Sequence, residues 1–185
     1  SDESSGRTAT PQVITQPALP LPGGGNASVT IGGGTPGCTI ASAQFDNNVP
    51  TGAPARATFP HGVFRFEATG CTGATLAVSI TYPTALAAGV QLLKHGPKTA
   101  GGASEWFTPT TACISVDRLT VSYTVTDNGE GDSDMTVGAI RDPFAPMVVL
   151  AAPAGATSIP TLSEWGLLWM SLLTAATGLW TVRRR

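Results

Sequence analysis

The sequence predicts an all-β protein built as an antiparallel β-sandwich. Two runs carry this prediction, 76–82 and 119–125, because each places a large apolar side chain at every second position. Such alternation is typical of strands with one buried and one solvated face. Glycine and proline separate the runs at short intervals, as in sandwiches and barrels. No run of useful length with helical periodicity precedes the C-terminal tail.

Further strands are predicted from shorter alternating runs. A third clear strand lies at 63–67, where two phenylalanines alternate with polar residues. Weaker patterns predict strands near 28–32, 39–45, 89–94, 104–108, 112–116 and 135–141.

Proline-rich segments set the predicted domain boundaries. Residues 1–27 contain four prolines and a run of three glycines, which do not sustain a helix or a central strand, so we predict a disordered linker. Residues 143–158 combine proline with many alanines and are predicted to be a stalk. The sandwich domain is therefore predicted to span 28–142. The chain begins at Ser1 without a secretory signal peptide, so we expect a processed form or a fragment.

The composition argues against nucleic acid as a partner. Charged residues make up only 12% of the chain, about half the usual share. Lysine and arginine total 10 against 12 acidic residues, and three of the arginines end the chain, so the rest is acidic by about five charges. An acidic body has no electrostatic reason to bind nucleic acid.

The cysteines predict one disulfide. There are three, without a Cys-x-x-Cys pair and with only two histidines in the chain, so a zinc site is not expected. In an oxidising compartment, one disulfide and one remaining thiol is the simplest solution. We favour Cys38–Cys71, since both lie beside predicted strands in turn-like contexts. Cys113 would then be buried or free for intermolecular pairing, and the sequence leaves the other connectivities open.

The C-terminus predicts a membrane helix. Residues 165–182 are eighteen uncharged positions, roughly 27 Å of helix at about 1.5 Å per residue, against a hydrocarbon core of about 30 Å. Trp165 and Trp180 lie near the two ends, where tryptophan favours the membrane interface. A cluster of arginines follows and should keep the C-terminus cytoplasmic, with the body across the membrane. That cluster is Arg183, Arg184 and Arg185.

The residues that lead into this run form a defined sequence motif, which a simple membrane anchor does not need. It reads Ile159, Pro160, Thr161, Leu162, Ser163, Glu164, Trp165 and Gly166. Together with the apolar run and the terminal arginines, it resembles the IPTL-CTERM protein-sorting domain of Gram-negative bacteria. The resemblance implies recognition and cleavage by an exosortase-like membrane transpeptidase. Pro160 disfavours helix at Ile159 and leaves an extended segment that a protease can reach. An uncleaved single-pass anchor is the alternative.

The body has a second resemblance. In sequence order it presents the segments 61–67, 76–83, 94–97 and 127–134, with a turn at Cys71. This order resembles the choice-of-anchor U domain over about 38–142. The resemblance implies surface display and no established catalytic activity.

The segment 127–134 is a candidate calcium site. Asp127, Asp132 and Asp134 supply oxygen ligands of the kind that Ca²⁺ prefers, and the two glycines of the segment let the backbone fold around an ion. The alternative is an acidic hairpin loop that its charges keep soluble.

Trp106 and Phe107 are the only adjacent aromatics in the body. They could form an exposed patch that binds extracellular polysaccharide, or fill the space between two sheets as core residues.

The combined prediction is an exported, surface-displayed structural or adhesive protein that is a substrate of an exosortase-like enzyme and is not itself an enzyme. One alternative is a glycan- or matrix-binding module with the same tail. Another is a secreted hydrolase, which would need His95, Asp117 and a serine to converge in a pocket.

Overall fold

The computed structural model describes residues 14–150, and all regular secondary structure in this range is β-strand. The eleven strands of this range are β1 (Ile14–Pro20), β2 (Asn26–Gly33), β3 (Thr39–Asp46), β4 (Ala57–Thr58), β5 (Val63–Thr69), β6 (Thr75–Thr81), β7 (Gln91–Pro97), β8 (Ser104–Phe107), β9 (Cys113–Ile114), β10 (Thr120–Thr126) and β11 (Ile140–Val149).

The strands form two antiparallel sheets. The first has the order β1-β2-β6-β10-β9, and the second has the order β3-β5-β11-β7-β8 with β4 paired to β11. One apolar core contains buried residues from both sheets, so the architecture is the predicted β-sandwich. No helix long and apolar enough to cross a bilayer occurs within residues 14–150. The predicted membrane helix at 165–182 lies outside these described residues.

The alternating residues point into the core as the sequence predicts. In the first sheet, Ile80 lies between Val29 and Val121, and all three are fully buried. In the second sheet, one inward row crosses all five strands of the main path. This row consists of Phe45, Phe64, Phe144, Lys94 and Phe107. Lys94 is the unexpected member of this row, because the other four residues are aromatic.

The predicted linker is wrong for residues 14–27. Residues 14–20 form β1, which pairs with β2, and the glycines at 23–25 form the turn between the two strands. Gly24 and Gly25 both have positive φ angles, a conformation that glycine adopts without strain. Because β1 is an edge strand of its sheet, proline is tolerated there. The remainder of the predicted linker lies outside the described residues.

The predicted stalk is wrong from residue 143 to residue 149, because β11 continues to Val149 in the interior of the second sheet. β11 pairs with β5 through Phe144 and with β7 from Phe144 onward, so most of its residues have a partner on one side only. Every second N–H of such a stretch points away from its partner, which leaves positions that proline can occupy. Pro143 lies opposite Arg65, and Pro146 lies opposite Leu92. The sandwich therefore extends beyond both predicted boundaries.

Two weaker strand predictions also need correction. The strand expected near 135–141 begins only at Ile140, because the preceding residues form turns around aspartate side chains. The strand near 112–116 is reduced to the two residues of β9. β4 has no counterpart among the predicted strands.

Candidate functional site

The structure confirms the predicted disulfide. Cys38 and Cys71 are bonded, with a sequence separation of 33, and both are buried. The bond joins the segment before β3 to the turn after β5. The backbone is packed closely beside it, since a Cβ on Gly70 would lie 2.4 Å from the Gly37 carbonyl oxygen. Cys113 is a free, exposed cysteine.

Asp127 connects two turns at one end of the sandwich. Its carboxylate accepts hydrogen bonds from the backbone N–H of Gly73 at 2.8 Å and of Gly138 at 2.9 Å. The Asn128 side chain donates to it as well, at 3.3 Å. Asp127 therefore accepts hydrogen bonds from backbone N–H groups in turns, which have no partner in a strand ladder.

Asp132 organises the rest of this loop from a fully buried position. Its carboxylate accepts from the backbone N–H groups of Asn128 at 2.9 Å, Asp134 at 3.0 Å and Arg141 at 3.0 Å. Burial raises the pKa of Asp132, and these hydrogen bonds oppose that rise. The Asp134 carboxylate accepts from Thr136, which lowers the pKa of Asp134. Each carboxylate thus has its own backbone donors.

This arrangement gives the calcium hypothesis no geometric support. In the part of the chain described, no three acidic, histidine or cysteine side chains are grouped so that they could hold a metal ion. Asp127, Asp132 and Asp134 are close in sequence, but their oxygens are bound to different backbone amides. The segment is a set of turns that carboxylates hold in place.

We expect Asp132→Ala to lower the free energy of unfolding by about 2–4 kcal/mol, because it leaves three part-buried N–H groups without their acceptor. Asp134→Ala is the control and should cost under about 1 kcal/mol, since Asp134 is less buried and binds fewer amides. Urea titration of both variants, in millimolar calcium and in chelator, measures the difference. A calcium-dependent gain in the wild type that disappears in Asp132→Ala would contradict our interpretation and support a metal site.

Phe107 is buried on the inner face of β8, where it is a core residue and not part of an exposed patch. Trp106 lies on the outer face and is half-buried. Its ring packs between Phe59 at 5.3 Å and His95 at 5.4 Å, measured between ring centroids. Its indole N–H donates to the Pro50 carbonyl oxygen at 3.3 Å. Trp106 therefore anchors the segment between β3 and β5 to the sheet.

A groove of about 410 Å³ lies on this outer face. Arg65, His95 and Arg141 are among its lining residues. Both arginines are already paired: Arg65 with Asp46 at 3.1 Å, and Arg141 with Glu67 at 3.0 Å. Burial, and then the charge of Arg65, lower the pKa of His95, so its imidazole is neutral near pH 7.

The residues expected for a hydrolase do not converge. Asp117 does not line the groove that contains His95; its carboxylate accepts from the Ser115 hydroxyl at 2.5 Å and from the Leu119 N–H. Ser133 does line the groove, but its hydroxyl donates to the backbone carbonyl of His95 and not to the imidazole.

A buried polar cluster is the feature that the sequence did not predict. Lys94 Nζ lies 2.9 Å from Asp142 Oδ1, and both side chains are fully buried between the sheets. The same Nζ is 5.0 Å from the centre of the Tyr123 ring, which stacks on Phe144 at 4.4 Å. Burial raises the pKa of Asp142, and Lys94 and Tyr123 oppose that rise. Burial and the Asp142 charge raise the pKa of Tyr123.

A family model matches the C-terminal tail. Residues 157–185 match the IPTL-CTERM motif. The match confirms the sorting signal predicted from residues 159–166 and the terminal arginines, although these residues lie outside the described part of the structure. Comparison with curated proteins and with solved structures gave no match. The resemblance of 38–142 to the choice-of-anchor U domain stays a prediction.

Proposed function

We propose that this chain is an exported protein of a Gram-negative bacterium, displayed at the cell surface after an exosortase-like membrane transpeptidase cleaves its tail. The IPTL-CTERM match at residues 157–185 carries the proposal. In this scheme the segment 159–166 is recognised, the apolar run halts in the membrane, and the terminal arginines remain cytoplasmic. The protein is the substrate of the reaction.

The body of the chain fits that destination. A disulfide persists in oxidising compartments outside the cytoplasm, and Cys38–Cys71 is one. Charged residues make up only 12% of the chain, and the arginines of the outer groove are paired internally. These features support a structural or adhesive role, with no catalytic role for the groove.

A glycan- or matrix-binding module is the second candidate. The groove beside the half-buried Trp106 supports it, because sugars bind where an aromatic ring adjoins hydrogen-bonding groups. The packing of Trp106 against Phe59 and His95 weighs against it, since both neighbours cover part of the indole ring. We therefore rank surface display first.

Mass spectrometry of the mature C-terminus tests the proposal. We expect the surface-exposed form to end upstream of the apolar run, because cleavage separates the body from its membrane segment. Replacing the segment 159–166 by glycine and serine should leave the uncleaved chain in the inner membrane. A surface form that retains Arg185 would contradict cleavage.

A further inference from the structure

The cluster of Lys94, Asp142 and Tyr123 contains an amine and a carboxyl group held together without solvent. Lys94 is on β7 and Asp142 on the adjacent strand β11, and their side chains have no exposed surface. Apart from their contacts with one another, the polar atoms of these three side chains have no hydrogen-bonding partner among residues 14–150. Lys94 is one of two lysines in the chain; the other, Lys98, is exposed.

The position of the amine is sterically fixed. Gly131 has φ +80°, and a Cβ added to it would lie 2.6 Å from Lys94 Cε and 2.8 Å from Nζ. Tyr123 borders Nζ with its ring, and Phe144 holds that ring by stacking. An amine confined at contact distance from a carboxyl group reacts as if its partner were present at very high concentration.

A dry core also gives an ion pair no hydration. A buried ion pair loses its hydration on both sides, and mutual attraction offsets that loss only in part. Transfer of one proton from the ammonium to the carboxylate gives a neutral amine and a neutral acid. The raised pKa of Asp142 is in keeping with this transfer, since burial favours its protonated form.

We propose that Lys94 and Asp142 condense into an intramolecular isopeptide bond. The Nζ lone pair attacks Asp142 Cγ and forms a C–N bond. One C–O bond then breaks, and its oxygen leaves as water with one proton from the acid and one from the amine. The Tyr123 hydroxyl, which is buried in the same cluster and whose ring borders Nζ, passes the proton from nitrogen to the departing oxygen. The products are one secondary amide and one water molecule, and no oxidant or cofactor takes part.

The bond would reinforce the short ladder between β11 and β7 in the second sheet. β11 contains Pro143 and Pro146, which cannot donate backbone hydrogen bonds, and it pairs with β7 only from Phe144 to Met147. A covalent link at residue 142 extends the connection of β11 to β7 beyond that short ladder. For a protein exposed outside the cell, such a link resists unfolding where the hydrogen-bonded ladder alone is short.

The test is the mass of the purified full chain in detergent, measured after reduction so that the disulfide does not contribute. We expect a mass one water below that of the sequence. Tryptic digestion should yield a branched peptide that joins Lys94 to the Asp142 segment, with no cleavage after Lys94. Full mass, with Lys94 and Asp142 recovered in separate linear peptides, would overturn the proposal.

Three variants localise the reaction. Lys94→Arg keeps a cation but removes the primary amine, so the missing water should return; a persistent loss would place the reaction elsewhere and overturn the proposal. Lys98→Arg is the matched control at an exposed lysine and should keep the lower mass. Tyr123→Phe should reduce the cross-linked fraction in freshly synthesised protein. An unchanged fraction would overturn the proton transfer assigned to Tyr123.

Discussion

Replacing Phe64 by alanine is expected to lower the free energy of unfolding by about 3–5 kcal/mol, because it removes a large buried ring from the aromatic row in the second sheet and leaves a cavity. Phe64 is fully buried. Its ring lies 5.0 Å from that of Phe45 and 6.0 Å from that of Phe66, between centroids. Strands on both sides hold its backbone in register, so the surrounding side chains have little freedom to fill the space.

Urea denaturation followed by tryptophan fluorescence measures this loss as a shift in midpoint at constant slope. Val116→Ala is the control, since Val116 is fully exposed and its replacement should change stability by less than about 0.5 kcal/mol. A Phe64→Ala variant as stable as the control would mean that the two sheets do not share the core described here.

The strands predicted with greatest ease are those with one buried face. The alternation at 76–82 and 119–125 reports directly on β6 and β10, because each strand has a core on one side and solvent on the other. The outer positions of these strands carry serine and threonine, and the inner ones carry aliphatic or aromatic side chains. For such strands the pattern in the sequence and the burial in the structure contain the same information.

Prolines caused the main errors at both ends of the sandwich. The prolines at 143 and 146 contribute to the prediction of a stalk, yet β11 accommodates them where it pairs on one side only. Whether a strand has one partner or two depends on distant parts of the chain, which a local pattern does not contain. The same applies to β1, whose edge position permits prolines that were interpreted as a linker.

The buried charges were missed for a related reason. A lysine or aspartate in an alternating run is ordinarily assigned to the solvated face, because an isolated buried charge is costly. Lys94, Asp132 and Asp142 are buried because each has partners from elsewhere in the fold: Lys94 and Asp142 have each other, and Asp132 has three backbone amides. The sorting tail shows the opposite case, since a short linear signal is complete in the sequence itself.

Removing the Cys38–Cys71 disulfide is expected to destabilise the protein by about 3–4 kcal/mol. The bond closes a loop with a sequence separation of 33, and such a loop restricts the unfolded chain by about that amount. For a domain of this size, the melting temperature should fall by roughly 10 °C. The double variant Cys38→Ala, Cys71→Ala is suited to the measurement because alanine leaves no unpaired thiol or polar group in the two buried positions.

Reductant provides the matched experiment. It should lower the melting temperature of the wild type to that of the double variant and leave the double variant unchanged. Cys113→Ala is the control, because Cys113 is exposed and outside the disulfide, and its melting temperature should equal that of the wild type under both conditions. If reductant left the wild type unchanged, the bond would contribute nothing to stability. If Cys113→Ala also abolished the response, Cys113 would have to take part in the pairing, in contradiction to the structure.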